Sequence, residues 1–150
     1  MEPIVLEFGV GCAPAHAFEL WTRRASLWWP KSHSVSADPE LEVIFEPHVG
    51  GRVLERLPSG EEHAWGAITV WDPPRRLAYR WHLRQDPADA GDVEIAFGPA
   101  PGGGTDVRIT HSGWERLGDR GAALRDRNRN GWRGLLPAFT AACAAERSEP

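Results

Sequence analysis

The sequence has few cysteines and no long apolar segment. Its two cysteines, Cys12 and Cys143, lie far apart without CxxC spacing, so we expect two buried thiols and not a disulfide. The longest stretch without a charged residue, 134–145, spans 12 residues, whereas a membrane-spanning helix needs about 20. The first residues also lack the basic and apolar regions of a signal peptide. Together these absences predict a cytoplasmic protein with no membrane span.

The chain also lacks an excess of positive charge and any histidine pair at metal-binding spacing. It has 17 basic and 21 acidic residues, a net charge of −4, which argues against a nucleic-acid partner. Its six histidines form no HxH, HxxxH or HExxH pattern, so we expect no metal site and no cofactor. A length of 150 residues suits a single domain spanning 1–150.

Alternating apolar and polar residues predict seven strands. They cover 3–12, 41–46, 52–57, 62–71, 77–84, 92–97 and 106–111. Helical spacing predicts two short helices, at 15–22 and 25–29, between the first and second strands. Short connections between consecutive strands imply an antiparallel sheet. In 62–71 both faces carry apolar residues, so the sequence leaves open which face points inward, and a β-bulge would shift the alternation.

The end of the chain has the pattern of a long amphipathic helix. One apolar stripe follows spacings of i, i+3, i+4, i+7 and i+11, formed by Trp132, Leu135, Leu136, Phe139 and Cys143. Pro137 lies within this pattern and predicts a kink near Arg133. An antiparallel sheet has one face to cover, and this helix is the element long enough to cover it. The sequence therefore predicts an α+β fold in which a curved sheet wraps around the C-terminal helix and leaves a cavity between them.

An ordered set of short motifs resembles one known superfamily. The motifs are Trp28-Trp29-Pro30, Gly50-Gly51-Arg52, the segment from Gly66 through Asp72-Pro73-Pro74-Arg75-Arg76-Leu77 to Trp81, His111-Ser112-Gly113-Trp114, and Gly131-Trp132. Together they resemble the SRPBCC (START-like, helix-grip) superfamily, and within it the bacterial branch related to the activator of the heat-shock ATPase. The resemblance implies a seven-stranded antiparallel sheet around a C-terminal helix, with an internal hydrophobic pocket. Members bind lipids, sterols, polyketides or aromatic compounds, some are cyclases or dehydratases, and eukaryotic relatives stimulate a chaperone.

The inward faces of the predicted strands and helix supply a candidate pocket wall. Its predicted ligand-binding residues are Tyr79, Trp81, Phe97, Ile109, His111, Trp132, Leu136 and Phe139. As a functional site, this wall would hold a small hydrophobic or aromatic molecule. The alternative interpretation is that these side chains simply fill the core.

His111 and Tyr79 are the two candidate catalytic residues. An inward neutral histidine can act as an acid or base near pH 7, and a phenol can assist it. The competing interpretation is a histidine hydrogen-bonded to backbone or water and a tyrosine packed in the core. No catalytic motif of the superfamily transfers onto this chain, so we expect ligand binding ahead of a cyclase or dehydratase activity. We rank a chaperone-activating role third, because the resemblance leads us to expect a second domain in the eukaryotic activator, and we expect a single domain here.

Overall fold

The computed structural model describes residues 1–148. Its seven strands are β1 (Ile4–Val10), β2 (Glu42–Phe45), β3 (Arg52–Arg56), β4 (Glu62–Asp72), β5 (Arg76–Trp81), β6 (Gly91–Pro99) and β7 (Thr105–Ser112). The two α-helices are α1 (Pro14–Trp21) and α2 (Gly121–Ser148). Short 3-10 turns cover Ala25–Leu27, Pro87–Asp89, Pro101–Gly103 and Trp114–Arg120. None of these helices is both long and apolar enough to cross a membrane.

All seven strands form one antiparallel sheet in the order β1-β7-β6-β5-β4-β3-β2. Strands β2 to β7 follow each other as a meander, and β1 pairs with β7 from Ile4 opposite His111 to Val10 opposite Thr105. The sheet is curved and open, and α2 packs on its inner face. This α+β helix-grip fold confirms the fold predicted from the sequence.

Two irregularities in β4 explain why its inward face could not be assigned from alternation alone. Against β3 the register shifts around Trp65, and against β5 it shifts around Thr69. Each shift moves the side-chain phase by one position. As a result Trp65 and Ile68 are both buried, although strict alternation would place them on opposite faces. Trp71 reaches the same side and packs against Phe18.

Strand β5 is shorter than the alternation suggested. It ends at Trp81, and the chain then turns through 82–85. Arg84 has a φ of 57°, in the left-handed region that residues with a Cβ seldom adopt. The turn removes Leu83 and Arg84 from the sheet and directs them toward α2 and the loop after α1. The expectation of a strand reaching residue 84 is therefore wrong.

Helix α2 carries the predicted apolar stripe but begins earlier than the stripe does. Trp132, Leu135, Phe139 and Cys143 are all buried, and Leu136 is half-buried at the edge of the stripe. The helix starts at Gly121, eleven residues before Trp132, and runs on through Pro137. Residues 125–130 of this stretch are all polar, so hydrophobic spacing did not mark the start of the helix.

The space between α2 and the sheet is filled largely by aromatic rings. Six of the eight tryptophans form a continuous set of ring contacts, namely Trp21, Trp28, Trp29, Trp65, Trp81 and Trp132. Trp21 of α1 is at the centre, fully buried, with its ring 4.8 Å from that of Phe139. Tryptophan buries more apolar surface than any other side chain, so this cluster supplies much of the hydrophobic stabilisation.

The two cysteines are free, buried thiols within reach of each other. Burial raises the pKa of Cys12 and, more strongly, that of Cys143. Because the thiolate is the reactive form, we expect both to react with a thiol-specific reagent at least about 100-fold more slowly in the native protein than in urea. Timed labelling followed by mass spectrometry measures this, and fast labelling of the native protein at either cysteine would contradict it.

Candidate ligand-binding site

One pocket opens between the end of β5, the loop after α1 and the middle of α2. Its volume is about 300 Å³, at the lower end of the range of small-molecule sites. The loop contributes Trp29, Ser32 and His33, the end of β5 and its turn contribute Trp81, Leu83, Arg84 and Gln85, and α2 contributes Arg127, Asn128, Gly131, Trp132 and Leu135. The pocket thus lies beside α2 at one end of the aromatic core.

Tryptophan rings form the apolar wall of this pocket. Trp81 and Trp132 stack with an interplanar angle of 25° and centroids 6.3 Å apart, and Trp29 meets Trp81 at 6.0 Å. All three are nine-tenths or more buried. Rings fixed in this way favour planar aromatic ligands, which pack against them in offset-stacked or edge-to-face arrangements.

The outer wall is a loop, 31–37, that side chains from the turn after β5 and from β3 hold in place. Arg84 donates through Nε to the carbonyl of Ser34 at 2.6 Å and through a terminal nitrogen to the carbonyl of Ser32. From β3, the fully buried Glu55 accepts hydrogen bonds from the backbone N–H groups of Val35 and Ser36. These contacts order a segment that has no strand partner of its own.

Glu55 is a buried carboxylate whose every observed partner is a donor. Besides the two backbone groups it accepts from the Ser36 hydroxyl at 2.6 Å and from Trp65 Nε1 at 2.8 Å. Burial by itself would raise the pKa of Glu55, but the hydrogen bonds from Ser36, Val35 and Trp65 outweigh it and lower that pKa. Glu55 is therefore ionised at neutral pH and positions the loop without touching the pocket. Sequence spacing offered no signal for it.

His33 packs against α2 at the mouth of the pocket. A Cβ added at Gly134 would lie 3.0 Å from His33 Nε2, so the absence of a side chain there allows the close approach. Burial lowers the pKa of His33, and the charge of Arg84 lowers it further. The ring is therefore neutral at pH 7. No feature of the sequence distinguishes it from the other histidines.

The structure places His111 inside the core behind the pocket. Trp132 Nε1 donates to His111 Nδ1 at 3.1 Å, and the Trp114 ring lies 4.4 Å from the imidazole. Burial lowers its pKa to about 3, which the Asp92 carboxylate only partly opposes. His111 is thus neutral and contacts the pocket through Trp132. Trp132 is the hydrogen-bond partner that the described residues provide for its ring.

Tyr79 lies deeper still, on the inner face of β5. Its hydroxyl and Trp21 Nε1 have no hydrogen-bond partner among the described residues, although Trp21 is near enough to oppose the rise in the pKa of Tyr79 that burial causes. Of the eight predicted ligand-binding residues, Trp81 and Trp132 line the pocket. Phe97, Ile109 and Phe139 are buried in the core with Tyr79, and Leu136 packs at its edge.

A shallow depression of about 340 Å³ lies between α1 and the turn before β5, where Phe18, Trp71 and Pro74 meet. Nowhere in residues 1–148 do three His, Cys, Asp or Glu side chains cluster closely enough to hold a metal ion. The pocket beside α2 is the better candidate because it combines stacked aromatic rings with convergent polar groups.

Solved structures include several proteins similar to this chain. The self-sacrificing resistance protein CalC from Micromonospora echinospora is 27% identical, covers 99% of this chain and 98% of its own, and has a TM-score of 0.73. The anthrahydroquino-gamma-pyrone synthase Txn09 is 35% identical over 83% of this chain and 84% of its own, with a TM-score of 0.58. The Aha1 dimer from Colwellia psychrerythraea is 17% identical, covers 95% and 96%, and with a TM-score of 0.64 shows the shared fold.

A comparison with curated protein sequences finds no match. The family model described as "Activator of Hsp90 ATPase homolog 1-like protein" matches residues 12–144. That segment contains α1, β2 to β7 and α2 through Cys143, and hence every side chain that lines the pocket. The chain therefore belongs to the Activator of Hsp90 ATPase homolog 1-like family.

Proposed function

We propose that this protein binds a small planar aromatic molecule in the pocket between β5, loop 31–37 and α2. The observation that carries the proposal is a wall of tryptophan rings around a volume of about 300 Å³, in which Trp81 and Trp132 stack and Trp29 lies at a tilt to Trp81. Such a volume accommodates a ring system of two or three fused rings. The name of the 35% identical synthase, an anthrahydroquino-gamma-pyrone synthase, refers to a fused aromatic compound of this kind.

The proposal is tested by blocking the pocket from α2. A Cβ built at Gly131 has no atom within 4 Å, although Gly131 lines the pocket, so a larger side chain enters open space. We expect Gly131→Leu to weaken binding of anthraquinone-2-carboxylate or its carboxamide at least about tenfold, which corresponds to 1.4 kcal/mol. The measurement is a titration of tryptophan fluorescence, which a ligand stacked on these rings should quench.

Gly131→Ala is the matched control. It adds one methyl group, and it should raise stability by about 1 kcal/mol because glycine is a poor helix former. Its effect on binding should be much smaller than that of leucine. If wild type binds neither probe below about 1 mM, or if Gly131→Leu binds as tightly as wild type, the pocket is not the site.

Similarity to the synthase favours an enzyme as the second candidate. The sequence hypothesis assigned this chemistry to His111 and Tyr79, and those roles stay predictions. In the structure neither side chain lines the pocket, and a general acid or base must reach its substrate directly or through one water. Binding is therefore better supported than catalysis. A chaperone partner also stays a prediction, which membership of the family supports.

A further inference from the structure

The polar side chains at the mouth of the pocket carry positive charge and no negative charge. Arg84 and Arg127 line it, together with neutral His33, Gln85 and Asn128, and no Asp or Glu does. This local excess is opposite in sign to the net charge of the whole chain, −4. Two cations beside an apolar cavity favour a ligand that carries an anion next to its rings.

Arg84 is anchored in a way that leaves its charge uncompensated. Its two hydrogen bonds go to backbone carbonyls, of Ser34 and Ser32, and not to a carboxylate. A guanidinium has five N–H donors, so others remain for a ligand. The left-handed backbone at Arg84 places this side chain at the mouth despite a conformational cost.

Arg127 projects from the other side of the mouth, on α2. Among the described residues it has no ion pair, whereas Arg129, two positions along the same helix, pairs with Asp126 at 3.9 Å. The two acidic residues of the β5–β6 connection already have partners. Asp89 pairs with Arg120, and Asp86 accepts from the N–H of Ala88.

We propose that the pocket selects aromatic acids, with Arg84 and Arg127 binding the carboxylate or an equivalent phenolate at the mouth while the rings stack on Trp81 and Trp132. This inference rests on the proposed function and adds the charge class of the ligand. Asn128, held by hydrogen bonds to Gln85 and to the Leu124 carbonyl, keeps the connection after β5 against α2 beside these arginines. A planar guanidinium suits a carboxylate because it can donate two parallel hydrogen bonds.

The test compares anthraquinone-2-carboxylate with anthraquinone-2-carboxamide, which have nearly the same shape and differ in charge. We expect wild type to bind the acid about tenfold more tightly than the amide, and this preference to shrink as salt rises from 20 to about 500 mM. In Arg127→Gln the preference should fall to about twofold, with the affinity for the amide unchanged. Arg129→Gln is the matched control and should keep the wild-type preference.

Arg84→Gln tests two roles at once, because Arg84 carries charge at the mouth of the pocket and also holds the loop 31–37 in place. Loss of its charge alone weakens the acid only, whereas a loosened loop weakens acid and amide alike. Equal binding of both compounds by wild type would overturn this inference and leave the proposed function standing. Binding of neither compound would overturn both, and an unchanged preference in both arginine variants would overturn the assignment to these residues.

Discussion

Replacing Glu55 with glutamine is expected to lower the free energy of unfolding by about 2–3 kcal/mol. Glu55 is fully buried on β3 and accepts four hydrogen bonds, from Val35, Ser36 and Trp65. A glutamine amide turns one acceptor oxygen into a donor, so at least one N–H or O–H group would face another donor in the interior. Urea denaturation of both proteins at pH 7 gives the difference.

Glu62→Gln on β4 is the control for this prediction. Glu62 pairs with Arg56 and Arg52 on the exposed face of the sheet, where screening by water makes ion pairs weak. We expect Glu62→Gln to change the free energy of unfolding much less than Glu55→Gln does.

The pH dependence of stability gives a second check on Glu55, because its pKa is lowered in the folded protein. The contribution of the Glu55 carboxylate to stability is present above the usual glutamate pKa of about 4.3 and is lost as pH falls below that value. A Glu55→Gln protein as stable as wild type would show that the loop does not depend on this carboxylate.

Acidification from pH 7 to pH 5 is expected to cost about 2 kcal/mol of stability through His111 alone. Burial lowers its pKa in the folded protein to about 3, compared with about 6.5 in the unfolded chain. Between these values the unfolded chain binds the extra proton. The stabilisation is therefore complete above pH 6.5 and decreases as pH falls through the interval. The measurement is the free energy of unfolding in urea at several pH values.

His111→Asn isolates this contribution, because asparagine keeps an acceptor for Trp132 Nε1 but does not titrate. The variant is expected to be less stable at pH 7, since it loses the ring packed on Trp114, yet its stability should change by about 2 kcal/mol less between pH 7 and pH 5. His16→Asn, at an exposed position on α1, should keep the wild-type slope. Equal slopes in wild type and His111→Asn would contradict the burial argument.

Sequence periodicity predicted the parts of this fold that repeat. Alternation placed all seven strands, and the stripe from Trp132 to Cys143 identified the buried face of α2. Periodicity failed where the backbone departs from regular geometry. The bulges in β4 move Trp65 and Ile68 onto one face, and the left-handed residue Arg84 ends β5 early. Both depend on tertiary pairing that a single strand does not encode.

The candidate site was predicted only in part, for a related reason. Trp81 and Trp132 were selected because regular elements point them inward. His33, Arg84 and Arg127 were missed as pocket residues because two belong to irregular segments and the third lies in a polar turn of α2. The sequence also could not show how far the rings of Trp21 and its neighbours fill the interior. That depends on rotamers and packing among elements distant in sequence.

The side-chain attachment of loop 31–37 separates its stability from that of the sheet. Hydrogen bonds that involve the side chains of Glu55, Arg84, Trp29 and Lys31 hold it in place, and these bonds are separate from the strand ladders, so the loop can detach while every ladder stays intact. Local opening of this kind needs only part of the global unfolding free energy. A ligand bound behind the loop would therefore be released at the rate at which this surface loop opens. The tryptophan cluster would stay buried during that opening.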